Sequence, residues 1–281
     1  SSFLKLGGDY FKSGGTLTST ENGTILELTD NLTLTSDTLL SLLGIALNDN
    51  TLTLGSKTTG LTIGGPINFD QADEQIFANS ADLNLKGLLS VDDGGIISDN
   101  ASLKFTGGIN QTGGLLRLNN AQLELGGDIF KTGGILQTLD AETIILADME
   151  ITSNSEISVK SFNLGDNPLE LGSATSDLAV SGDFSLVEAN VHLNTGDADF
   201  SVGGNVNLTE GKLESTEGTV RFTNTTVQSE SFEFNLAESI FSLGGNYTKT
   251  GGSIDSSSAT LSLNDNTTIA SETAIEFDKL E

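Results

Sequence analysis

Carboxylates are the side chains through which this chain could do chemistry. Asp92-Asp93, Asp73-Glu74, and Asp197 with Asp199 each bring two acids close together in the sequence. Two acids converging on one face could cleave a glycosidic bond, one protonating the leaving oxygen while the other attacks or activates water. The alternate spacing of Asp197 and Asp199 would set both on one face of a strand. Each pair, however, lies in a polar, turn-like stretch without an Arg, His or Tyr beside it. The expectation is therefore a solvated acidic turn rather than a catalytic pair.

Other chemistries fail on residue type. There is one histidine, His192, and no cysteine, which leaves no material for a zinc site or a nucleophilic triad. His192 stands between Val191 and Leu193, the position of an outward-facing strand residue. A calcium β-roll would need stacked aspartates and a third glycine, and Gly7-Gly8-Asp9 and Gly126-Gly127-Asp128 lack both. EF-hand loops are absent. No resident cofactor is expected, and incidental calcium on acidic turns would go first to Asp197 and Asp199. Lys12, Lys131 and Lys249 precede their glycine pairs instead of following them, which is the wrong order for a phosphate-binding loop.

Charge narrows the partners. Twelve basic against 39 acidic residues give a formal net charge of −27, and Arg117 and Arg221 are the only arginines. Such a chain repels nucleic-acid backbones and anionic membrane surfaces. No apolar run approaches the roughly 20 residues that cross a bilayer, so membrane insertion is not expected.

The elements that must position these residues read as short strands. Leu83-Asn84-Leu85, Leu103-Lys104-Phe105 and Leu123-Glu124-Leu125 are apolar-polar-apolar triplets 20 residues apart, and Leu26-Glu27-Leu28 and Leu52-Thr53-Leu54 are earlier triplets of the same kind. Ser, Thr, Asn, Asp and Gly clusters separate them, and proline occurs only at Pro66 and Pro168. Two stretches carry weak helical traits, Thr38 to Leu47 and Gln71 to Ala81. Triplets returning at nearly constant spacing suit coils stacked in parallel better than hairpins. The expected fold is all-β, a right-handed parallel β-helix (β-solenoid) of about 14 coils of roughly 20 residues.

A longer period overlies the short one. LKLGGDYFKSGGTL (Leu4 to Leu17) returns as LELGGDIFKTGGIL (Leu123 to Leu136) and as FSLGGNYTKTGGSI (Phe241 to Ile254). One solenoid domain over 1–281 is expected, built of tandem units 1–122, 123–240 and a partial 241–281. The paired glycines of the phrase, Gly7-Gly8 with Gly14-Gly15, Gly126-Gly127 with Gly133-Gly134, and Gly244-Gly245 with Gly251-Gly252, are expected at the two corners that flank one short strand.

The strings LNLKGLLSVDDGGIISDNASLKFTGG (Leu83 to Gly108) and VGGNVNLTEGKLESTEGTVRFTN (Val202 to Asn224) resemble the β-helical repeats of filamentous haemagglutinin-type adhesins and large repetitive bacterial surface proteins. The resemblance implies a non-catalytic stalk or adhesive passenger outside the cell, meeting an extracellular glycan or protein ligand. From its ends, Ser1-Ser2 and Leu280-Glu281, the chain is expected to be an excised segment that continues into further repeats of its parent. The alternative is a carbohydrate-binding or polysaccharide-degrading parallel β-helix.

Overall fold

The computed structural model describes every residue except 1, 15, 16, 19–22, 57, 120, 121, 173–176, 230, 257, 265 and 266. The last three triplets stack on one another, while those at Leu26 and Leu52 belong to two other stacks. Leu83, Asn84 and Leu85 pair in parallel with Leu103, Lys104 and Phe105, and those with Leu123, Glu124 and Leu125. The apolar residue at either end of each triplet is buried and its middle residue faces out, so one strand period builds both the core and the surface. The result is an all-β parallel solenoid of roughly 13 turns, divided between two compact units, Ser1–Glu142 and Thr143–Glu281.

In the first unit each coil gives one strand to each of three stacks. One stack runs from Tyr10–Lys12 through Leu32–Ser36, Thr51–Leu54, Gln75–Asn79 and Gly95–Asp99 to Leu115–Asn119. A second runs from Leu17–Thr18 to Gln122–Leu125. The third is broken. Ser2–Leu6, Thr24–Leu28 and Gly44–Ala46 form a separate three-stranded sheet, and pairing resumes only from Ile67–Phe69 through Leu89–Val91 and Ile109–Gln111 to Ile129–Lys131. Both stretches with helical traits are strands: Leu40–Leu42 and Gly44–Ala46 in one, Gln75–Asn79 in the other. Ladder bonds to the neighbouring coil outweigh the weak local preference.

The repeated phrase does not return to the same face. Its first central strand, Tyr10–Lys12, lies in the first stack, whereas Ile129–Lys131 lies in the third. Ile129–Lys131 is the seventeenth strand after Tyr10–Lys12, and 17 is not a multiple of the three strands in a coil. The duplicated unit is therefore a third of a turn out of phase with the coil.

Glycine is needed at a corner where successive coils approach closely. A Cβ on Gly107 would lie 2.2 Å from the Gly87 carbonyl carbon, and one on Gly87 equally close to that of Gly65. This corner has no room for a side chain.

In the second unit the core is aromatic. Phe222 is fully buried and meets Phe200, Phe234 and Phe241 at ring-centroid distances of 6.4, 6.3 and 5.6 Å. Edge-on and tilted contacts of this kind add to simple burial. Phe222→Ala is expected to cost about 3–5 kcal/mol, read as a lower urea midpoint with the strand signature of the folded protein retained.

Candidate functional site

The acidic pairs are dispersed among turns. Asp199 opens the strand Asp199–Val202, and its Oδ1 accepts the Thr219 N–H of the next coil at 2.6 Å. Asp197 sits before that strand, exposed, in the turn closed by Ala198 N–H to Thr195 O at 2.9 Å. Asp93 Oδ1 accepts the Gly94 N–H at 2.9 Å, and Asp92 accepts the Thr112 hydroxyl one coil on. Asp73 is exposed while Glu74 is buried. Among the described residues no group of three or more His, Asp or Glu could hold a metal ion.

The lysines that precede the second glycine pair of the repeated phrase turn inward. Lys249 Nζ donates to Gly252 O at 2.8 Å and to the Thr273 hydroxyl. Lys12 Nζ donates likewise to Gly14 O at 3.1 Å and to Thr38 Oγ1. Lys131 is buried, and burial pulls its ammonium below the usual lysine range. Glutamine takes the same place in other coils: Gln111 Nε2 donates to Gly113 O and Ile135 O, and Gln228 Nε2 to Phe232 O and Ser253 O. A long side chain with terminal N–H groups satisfies the carbonyls that a tight corner leaves unpaired. The sequence carried this signal, since INQTGG at Ile109 parallels IFKTGG at Ile129. Of the corner glycines, Gly8, Gly14, Gly134 and Gly252 have positive φ, and Gly15 lies outside the described residues.

One outer face of the second unit gathers polar groups that the sequence left scattered. Glu150, Glu170, Asn194, Glu214, Asn235 and Asp255 follow one another in register on successive strands. Glu214 is the hub. Its Oε2 lies 2.6 Å from His192 Nε2, its Oε1 accepts Asn235 Nδ2 at 3.1 Å, and Lys212 Nζ contacts the same oxygen. The histidine contact is one of proximity, since Nε2 makes no aligned hydrogen bond. Burial alone would raise the Glu214 carboxyl. Hydrogen bonds from Lys212 and Asn235 and the nearby positive charges outweigh it and hold the group below the usual carboxylate range.

Another column of the second unit brings two acids together. Asp177 pairs in register with Asp199, and burial, Asp199 and Glu156 together push its carboxyl up.

In the first unit, the break in the third stack opens a cleft of about 540 Å³ between Gly44–Ala46 and Ile67–Phe69. Pro66, which has no N–H to give, precedes the strand that would have continued the ladder. Glu74 closes one end of the cleft, its Oε2 accepting the Asp70 N–H at 2.9 Å and its Oε1 facing the Asp49 N–H at 3.5 Å. Asn48 and Asp49 have φ of 52° and 61°, a backbone form that Asn and Asp tolerate better than most residues. Asn48 Nδ2 is anchored on Leu28 O at 3.0 Å.

No protein-family model, curated protein or solved structure matches this chain.

The acidic column gives a signed test. A carboxyl whose folded pKa is raised weakens the fold once ionised, so its penalty is present above the folded pKa and disappears as pH falls toward 3.8, the value for an unperturbed Asp. Asp177→Asn is expected to raise the melting temperature at pH 7, with the gain shrinking as pH falls toward 4. A variant that melts lower at pH 7 contradicts the column.

Proposed function

We propose that this chain is a structural and adhesive β-solenoid segment of a giant secreted or cell-surface bacterial protein. It acts without catalysis, as a stalk or as a surface for cell contact. The observation that carries the reading is where the reactive side chains are spent. Asp199 fastens Thr219, Glu74 ties Asp49 to Asp70, and Lys12 and Lys249 close corners. A side chain bonded to the main chain of its own or the adjoining coil holds the stack together and is poorly placed to exchange protons with a substrate.

Other features support the same reading. Faces built of Thr, Ser, Asn and acids, with a net charge of −27, favour solubility at the surface and repel nucleic acid. Freedom from cysteine suits a segment that crosses compartments of different redox poise. Among the described residues no helix is long and apolar enough to cross a membrane. The partner in this reading is an extracellular glycan or protein met by the outer faces.

Two assays on the purified chain test it. Beads carrying the chain are expected to adhere to host-type cells or extracellular matrix above beads carrying an unrelated acidic protein. Incubation with a broad polysaccharide panel is expected to release no new reducing ends or unsaturated products. Product release from any polysaccharide would replace this reading with the enzymatic one.

A further inference from the structure

We infer that the cleft between Gly44–Ala46 and Ile67–Phe69 is a binding site for a neutral sugar unit. The inference goes beyond the stalk reading and does not depend on it, since a solenoid that binds no sugar remains a spacer.

Three observations converge on this place. First, it is where the ladder of an otherwise continuous first unit is interrupted: Gly44–Ala46 pairs only toward Thr24–Leu28, and Ile67–Phe69 only toward Leu89–Val91. Main-chain edges that would normally bond each other border a space instead, and such edges are ready hydrogen-bonding surfaces. Second, the space has the size of a small-ligand pocket, about 540 Å³, within the range of roughly 300–1,000 Å³ typical of such sites. Third, its lining mixes amides and carboxylates with apolar groups. Asn68 and Asp70 are exposed at one wall and Asp49 at the other, while Ile45 and Pro66 supply apolar surface.

The lining chemistry selects the ligand class. An anion would meet the carboxylates of Asp49 and Asp70 with no basic residue in the wall to offset them. A bare metal ion lacks its ligand set, because no three acids converge among the described residues and Glu74 is turned onto main-chain N–H groups. A wholly apolar ligand would strip water from Asn48, Asn68 and Asp70 without returning a hydrogen bond. A sugar answers each group. Its hydroxyls donate to carboxylates and amide oxygens, they accept from amide N–H groups, and its C–H face lies on Ile45 and Pro66.

The test uses the full chain and neutral sugars: methyl glucoside, methyl galactoside, methyl mannoside and N-acetylglucosamine. Glucuronic acid, cadaverine and calcium chloride serve as anionic, cationic and metal comparisons. Binding is followed by saturation-transfer NMR and by titration of the backbone amide signals. At least one neutral sugar is expected to bind, with its largest shifts at residues 45–49 and 66–74. Asn68→Ala and Asp70→Asn alter exposed side chains, so the melting temperature should hold while affinity falls about tenfold in each, the loss of roughly one hydrogen bond. The assignment is overturned if no neutral sugar binds, if the shifts fall elsewhere, if both variants bind as well as the parent, or if a comparison ligand binds more tightly than every sugar.

Discussion

The parallel hydrogen-bond ladder between successive coils is the constraint on which the rest of this protein depends. Each strand is held by the strand one coil away, and register fixes which side chain lies above which. Leu193 lies on Leu213, that on Phe234, and that on Ile254. A slip by one residue would exchange core for surface along a whole coil, so the alternation of apolar and polar residues is enforced at every turn. Burial on such a ladder also explains the aromatic core of the second unit, where phenylalanines two residues apart in register on neighbouring coils, Phe200 with Phe222 and Phe222 with Phe241, meet edge-on.

The same ladder decides what the polar residues do. Tight corners leave main-chain carbonyls and N–H groups without strand partners, and buried groups of that kind must be satisfied. Lys12, Gln111, Gln228 and Lys249 serve the carbonyls from inside, and Asp199 and Asp183 serve N–H groups of the next coil from outside. Stacking also brings like charges together, as at Glu150 with Glu170 and Asp177 with Asp199. Such contacts are unfavourable, and Glu214 escapes by recruiting His192, Lys212 and Asn235. Ionisable residues here belong first to the architecture.

Much of this was legible in the sequence, because one strand period writes itself into every coil. The triplets at Leu83, Leu103 and Leu123 told both the strand and its neighbours, since pairing in a solenoid follows chain order. Other features need three dimensions. The cluster around Glu214 draws on His192, Lys212 and Asn235 from three coils, and residues so spaced look isolated when read in line. The interruption between Gly44–Ala46 and Ile67–Phe69 has only Pro66 as its local mark. The phase of the long repeat depends on counting strands rather than residues. Leucine-rich Thr38 to Leu47 looked partly helical because its pattern is dense, but its partners on the adjoining coils are strands.

Register is the central claim, and the absence of cysteine makes it directly measurable. Asn207 and Val227 face outward on adjoining coils as register partners, at the strand separation of about 4.8 Å that a disulfide can bridge. Asn207→Cys with Val227→Cys is expected to form an intramolecular disulfide rapidly on mild oxidation of the folded protein. Asn207→Cys paired with Cys at Gln228, one residue out of register and pointing inward, is expected to stay reduced. Equal or faster bridging of the second pair would contradict the parallel in-register stack.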